Sequence, residues 1–255
     1  MMRTPVSIGA LRKLMKELNA AGKERKPLAL GGAGEIARTL ERELTRGGDP
    51  TAVRVGAPQG AAVYVHIATG DDEGALRAAR RARVPIVAVA FDDEPLPYVF
   101  ATDVVRVALG ERLPVDRIAI AVAARLGEAG ARLAGRLPVL RGAVCHRIVA
   151  SFARKNGIVG VVVFVPGADL PVLALNQVRM LLLLDQAYGL ELDPVTRARS
   201  AEVLAVVGAG LGLRAVAREL LDVVPVAGWA VKGGVAYAGT RALGEAAVRR
   251  LELVH

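Results

Sequence analysis

The sequence predicts two structural classes in one chain: an α/β amino-terminal domain built on a parallel sheet, then an all-helical hydrophobic carboxy-terminal domain. Three observations predict it. From Pro27 short apolar runs alternate with polar helical stretches, after "LGERLP" (109–114) that alternation stops, and beyond it come only helices joined by glycine and proline turns. Strands alternating with helices imply parallel pairing with both sheet faces covered.

The elements follow in order. Residues 1–26 place Leu11, Leu14, Met15 and Leu18 on one face of an amphipathic helix with Ser7 positioned to cap it. Charges interrupt this segment before an apolar signal-peptide core can form, so it reads as a docked helix. "PLAL" (27–30) is the first strand, "GGAGE" (31–35) a turn and "IARTLERELTRGG" (36–48) a helix. "TAVRV" (51–55) and "AVYVHIA" (62–68) are strands, and "DDEGALRAARRAR" (71–83) is a helix. "VPIVAVAF" (84–91) reads as a buried strand and "DVVRV" (103–107) as a shorter one. Residues 116–137 have helical spacing with Asp116 as cap, Pro138 interrupts, and 139–156 continue as a basic amphipathic helix with Val144, Ile148 and Phe152 on one side. The expected organisation is therefore an α/β domain over 27–112, bridging helices over 113–155 and a hydrophobic helical domain over 156–255.

Composition narrows the function. Hydrophobic residues make up 53% of the chain, aromatic residues only 4%, and mean hydropathy is +0.38. Part of such a surface is expected to meet lipid or another protein. The net charge of +9 comes mostly from arginines scattered among acids, and it resides mainly in the first 150 residues. That scatter reads as a solvated surface, with an anionic membrane surface next and nucleic acid not expected. The single Cys145 excludes an intrachain disulfide framework and a multi-cysteine metal site, and fits a reducing, cytoplasmic setting.

A strand, a glycine loop and a helix start form the layout that binds phosphates. Here the loop is Gly31-Gly32-Ala33-Gly34-Glu35, without the Lys and Ser/Thr that a Walker A loop supplies. Gly32-x-Gly34-x-x-Ala37 fits the dinucleotide fingerprint, but the next strand ends without an acid for a ribose. The turn thus reads as structural, with no cofactor, and replacing Gly34 is expected to lower stability. His66 and His146 read as structural, Cys145 and His146 point about 100° apart on one helix, and Asp71, Asp72 and Glu73 read as a helix-start cluster. No catalytic residue or metal ligand is assigned.

Along residues 27–135 the order of elements is similar to a small GTPase domain. "VPIVAVAFDDEP" resembles the guanine-reading strand and loop, with Ala90, Phe91, Asp92 and Asp93 at the N-K-x-D positions and only the last acid kept. The resemblance implies a degenerate GTPase-like domain whose phosphate, magnesium and guanine residues are mostly absent.

The helix in "PGADLPVLALNQVRMLLLLDQAYG" (166–189) sets Asp169, Asn176, Arg179 and Gln186 on one stripe, with leucines over most of the rest. Asp169, Asn176 and Arg179 are expected to form a polar seam against protein, water or headgroups, since a charge at a bilayer centre is expensive. Gly208 and Gly212 form a G-x-x-x-G pair, and Ala230, Gly234, Ala238, Ala242 and Ala246 recur every fourth residue as a packing ladder. The longest charge-free run of the carboxy-terminal half, Asn156 to Ala168, is well short of a span.

Pro166-Gly167-Ala168-Asp169, Gln177-Val178-Arg179-Met180, Tyr188-Gly189, the Pro225 turn and Thr240-Arg241-Ala242-Leu243-Gly244 together resemble the hydrophobic carboxy-terminal domain of the bacterial YcjF-like family. The resemblance covers roughly residues 150–252. It implies a domain that follows a GTPase domain and associates with membranes. The expected function is a non-enzymatic, membrane-associated adaptor or regulator at the cytoplasm or the inner face of the inner membrane. The alternatives are a divergent GTP-binding switch and a soluble oligomeric scaffold. Expected partners are another protein or a second copy through the carboxy-terminal helices, and an anionic membrane surface.

Overall fold

The computed structural model describes residues 25–108, 110–162, 170–190 and 228–254, together with Gly9, Lys13, Leu14, Lys16 and Glu17. Five strands, β1 (Leu28–Gly32), β2 (Val53–Val55), β3 (Val63–Ile67), β4 (Ile86–Ala90) and β5 (Val104–Arg106), form one sheet in the order β2-β1-β3-β4-β5. Every pairing is parallel. Leu28 lies opposite both Val53 and Val63, Tyr64 opposite Ile86, and Ala88 opposite Val104. All five residues of β3 and of β4 are buried, which is why these strands read as continuous apolar runs instead of alternating ones.

Crossovers α1 (Gly34–Leu44) and α2 (Glu73–Arg81) leave β1 and β3 in opposite directions across the sheet. Right-handed crossovers therefore put them on opposite faces. α1 packs on β1 and β2, and α3 (Val115–Leu126) joins it while covering β3, β4 and β5. On the other face Leu76 and Ala79 of α2 meet Ala29, Tyr64 and Ile86, with Leu96 and Val99 packed alongside. The seven residues between β2 and β3 contain no helix and the β4–β5 crossover only a 3₁₀ turn, Ala101–Asp103, so α2 is the only α-helix from the crossovers of β1 to β5 on that face.

Residues 116–137 are not one helix. Gly127 adopts a φ of 54° at the end of α3, a short 3₁₀ turn follows, and α4 begins at Gly130 and ends at Arg136. That left-handed glycine is what stops the helix. Pro114 takes the cap position, leaving Asp116 in the first turn with no capping bond. Pro138 opens a further 3₁₀ turn, after which α5 runs from Arg141 to Val162.

The chain divides into two compact units. One comprises Glu24–Arg147 with Ala187–Gly189, the other Met1–Lys23, Ile148–Gln186 and Leu190–His255. The division falls within α5 instead of near residue 112, because Ile118, Ala119, Val122 and Ala123 of α3 are buried in the sheet unit. In the helical unit α6 (Leu170–Ala187) and α7 (Gly228–Val254) accompany the end of α5. A Cβ at Gly244 would meet Val149, and one at Gly160 would meet Ala236, so α5 and α7 run antiparallel. Met180 also reaches Gly244, and Asn176 reaches Asn156, so α6 runs with α7 and against α5. Among the described residues no helix is long and apolar enough to cross a membrane. Of the amino-terminal helix, Leu14 is buried, while Ser7, Leu11, Met15 and Leu18 lie outside the described residues.

Candidate functional site

In a doubly wound sheet of this order the strand sequence reverses between β1 and β3, and ligands enter at the carboxyl ends of those strands. Gly31 and Gly32 end β1 at that point, and α1 starts two residues later. Packing accounts for both glycines. A Cβ on Gly31 would fall inside the phenol of Tyr64, and one on Gly32, whose φ is 89°, would fall on the carbonyl oxygen of Ile67. That carbonyl also accepts the Ala33 N–H at 3.1 Å, which ties the turn to β3. Gly34 is different: its nearest neighbour would be the guanidinium tip of Arg38 at 3.9 Å, so the expectation that Gly34 is structurally required is corrected. Glu35 is exposed and pairs with Arg38 at 3.3 Å.

Tyr64 belongs to a buried chain of three polar side chains. Its hydroxyl lies 3.0 Å from Nδ1 of His66, and Nε2 of His66 lies 2.7 Å from Oδ1 of Asp72. An ionised carboxylate only accepts, so His66 donates through Nε2–H and its Nδ1 receives the Tyr64 O–H. Asp72 also accepts from the Thr69 amide at 2.9 Å, the Thr69 hydroxyl at 2.8 Å and the Gly70 amide at 3.1 Å. Burial raises the pKa of Asp72, but hydrogen bonds from His66, Thr69 and Gly70 outweigh it and hold the acid below its ordinary 3.8. Burial, and then the Asp72 carboxylate, push Tyr64 above 10.0 and keep it protonated. With both imidazole nitrogens bonded inside the fold, this chain clasps the β3–α2 loop to the strand ends and leaves no ring nitrogen for a ligand.

Asp72 was legible only as part of a solvated helix start, yet it is 5% exposed and makes no capping bond to α2. The missed signal was a histidine at a strand end followed six residues later by an acid. At the guanine-reading positions, Asp93 is exposed and lies 3.3 Å from Arg106 of β5, whose guanidinium also donates to the carbonyl of Asp92.

The helical unit holds a second buried polar group. Asn156 of α5 donates to the Thr240 hydroxyl of α7 at 2.9 Å and to the Leu173 carbonyl of α6 at 3.4 Å. Its own Oδ1 accepts from Asn176 at 2.8 Å, and Gln177 donates to Thr240 at 3.2 Å. Asn176 therefore takes part in a seam. Arg179 stands half-buried three residues further along α6, whereas Asp169, Gly208 and Gly212 lie outside the described residues.

The ladder expected at Gly234 and Ala238 is not the packed face. Both residues are exposed, and a Cβ on Gly234 would meet nothing. The close approach instead uses Gly157 and Gly160 of α5 against Gly233 and Ala236 of α7: a Cβ on Gly160 would lie 3.1 Å from both the Lys232 carbonyl and the Ala236 methyl. Gly233, Ala236, Thr240 and Gly244 form that face. Ala236, Thr240 and Gly244 stand two residues from Ala238, Ala242 and Ala246, so the two stripes lie about 160° apart around the helix. Small residues recur on both stripes, so size alone does not choose between them; Thr240, the polar member, marks the buried one.

Among the described residues no group of three His, Cys, Asp or Glu side chains is placed to hold a metal ion. Comparison with known proteins finds no matching family model, no matching curated protein and no matching solved structure.

Proposed function

We propose that this chain is a non-enzymatic, membrane-associated adaptor or regulator in which a degenerate GTPase-like α/β unit is coupled to a hydrophobic helical module. The observation that carries this reading is Glu35, an exposed carboxylate in the first turn of α1, where a bound phosphate would lie. The dinucleotide fingerprint lets a ligand approach the backbone at its second glycine, here Gly34, and the neighbouring carboxylate opposes a phosphate there, while Tyr64 fills the space over Gly31 at the strand end. The missing Lys and Ser/Thr point the same way. The resemblance of residues 150–252 to the YcjF-like domain supports the membrane side of the reading.

The test is equilibrium binding of fluorescent GTP to the purified chain with and without Mg²⁺, together with carbonate washing of membranes from cells that express it. Absence of nucleotide binding and a washed-membrane association are expected. Micromolar, Mg²⁺-dependent GTP binding would overturn the adaptor reading in favour of a divergent switch. A second reading, a soluble oligomeric scaffold, draws on the helical unit satisfying most of its own polar atoms through Asn156 and Thr240. Complete recovery in the detergent-free soluble fraction as a discrete oligomer would favour it.

A further inference from the structure

We infer that a groove beside α2, on the open face of the α/β unit, docks an acidic helix of a partner protein. That role rests on the adaptor reading and adds to it a surface and a partner chemistry.

The shape of the groove follows from the winding. A right-handed crossover from β2 to β3 passes over the same sheet face as α2, because β2 to β3 and β3 to β4 step in the same direction. The crossover, residues 56–62, forms no helix. α2 is left without a helical neighbour on that side, and a groove of about 390 Å³ opens between it and the crossover. Gln59 of the crossover lines it, with Gly74, Arg77, Ala78, Arg81 and Ala82 along and just after α2. A helix laid there takes the place that a crossover helix has in a fully wound sheet.

Charge selects which helix. From Gly74 to Phe91 the chain carries four arginines, Arg77, Arg80, Arg81 and Arg83, and no acid. All four are exposed. Glu73 and the Tyr98 hydroxyl hold Arg77, whereas Arg80, Arg81 and Arg83 form no ion pair among the described residues. Arg83 adopts the left-handed φ of 56° that ends α2, where glycine is usual, and so adds a guanidinium at that end. Arg77 and Arg81 stand one turn apart, with Cβ atoms about 6 Å from each other. Carboxylates at i and i+4 of a second helix repeat that spacing and accept guanidinium forks. Gly74, Ala78 and Ala82 leave room between the arginines for the partner's apolar side chains, the pattern of helix-in-groove recognition. A bilayer is too flat to enter such a groove.

The experiment follows the fluorescence anisotropy of a labelled peptide of about 20 residues, long enough to hold a helix alone, titrated with the full chain. Its glutamates stand at i and i+4 with leucines beside them, and a second peptide carries lysines in their place. Binding about ten-fold tighter for the acidic peptide is expected, falling with added salt. Arg81→Glu, at an exposed site, should weaken it about ten-fold. Ala82→Phe, which fills the groove without changing charge, should weaken it as well. Arg117→Glu, exposed on α3 of the opposite face, makes the same change in net charge and should leave binding as it was. The double reversal Arg77→Glu with Arg81→Glu should move the preference to the lysine peptide, with circular dichroism confirming that each variant folds. Equal binding of the two peptides, or a loss as large in Arg117→Glu as in Arg81→Glu, would overturn the groove and leave the adaptor reading to the nucleotide and membrane tests above. Binding to vesicles of phosphatidylcholine with phosphatidylglycerol that Arg81→Glu weakens, with no binding of the acidic peptide, would overturn the partner helix in favour of a lipid surface.

Discussion

Two buried hydrogen-bond networks, one in each unit, solve the same packing problem with different chemistry. In the α/β unit a carboxylate, an imidazole and a phenol are linked in series, and in the helical unit two asparagines, a glutamine and a threonine do the equivalent work without an ionisable group. Both stand beside glycines that allow a close approach: Gly31 and Gly32 against β3, Gly160 and Gly233 between helix backbones. The first network should therefore respond to pH and the second should not. The first sits in backbone that a Cβ would destroy, the second between helices that can shift slightly.

The largest effect is expected at Gly32. Alanine there would have to hold a left-handed φ and also displace the Ile67 carbonyl, a backbone atom that cannot rotate away. A loss of about 4 kcal/mol or more is expected, at the upper end for one substitution. Hydrogen exchange should show the loss confined to residues 24–147. Protection unchanged across β1 and β3 would mean that the turn is not tied to β3 as described.

Next comes Asp72→Ala, which removes the acceptor for His66, Thr69 and Gly70 at once. Leaving several buried donors unpaired should cost about 3 kcal/mol. The wild-type network also carries a sign with pH. Asp72 has a folded pKa below its ordinary 3.8, so its contribution is present above pH 3.8 and is lost as pH falls through the folded value. Asp49, held near 2 chiefly by the Thr51 hydroxyl and Arg136, adds a smaller effect of the same sign because water reaches it. Tyr64 is raised above 10.0, so its contribution is present below pH 10 and is lost at higher pH. Acid and alkaline titration followed by hydrogen exchange should open the α/β unit first; simultaneous opening of the seam helices would break the contrast between the networks.

Thr240→Val sharpens it from the other side. Valine keeps the shape but removes the oxygen that receives both Asn156 and Gln177, leaving two buried amides short of an acceptor. A loss of about 2 kcal/mol is expected, with no change between pH 3 and 11 in the size of the effect on α5, α6 and α7. A pH-dependent loss would place an ionisable group in the seam.

How much of this was legible follows from what sequence patterns report. The strands were legible because buried parallel strands are uninterrupted apolar runs, as "VYVHI" and "IVAVA" are. The break at Gly127 was not, since a glycine inside a helical pattern says nothing of its φ until its surroundings are known. Asn176 was legible as a polar residue in an apolar helix, but its partner Asn156, twenty residues earlier, stands where the basic helical pattern stops and an asparagine reads as a terminus, although α5 continues to Val162. Asp72 was hidden for the opposite reason: with Asp71 and Glu73 on either side, it looked like one of three solvated acids.

The smallest expected effect is at Ala238 of α7, less than a turn from Thr240 on the contact face, and it is read against Gly160 of α5. Ala238→Leu adds a large side chain to an exposed position, where there is nothing to overpack, and should change stability by less than about 0.5 kcal/mol. Gly160→Leu adds the same side chain on α5 where a Cβ already lies 3.1 Å from a carbonyl and a methyl of α7. That helix pair must separate, at about 2 to 3 kcal/mol. The pair of variants tests which stripe of small residues is the interface, because the two alternatives exchange the predicted values. If Ala238→Leu is the costly one and Gly160→Leu the neutral one, α7 is turned by about 160° from the orientation described, and the Asn156–Thr240 hydrogen bond, which depends on that rotation, falls with it.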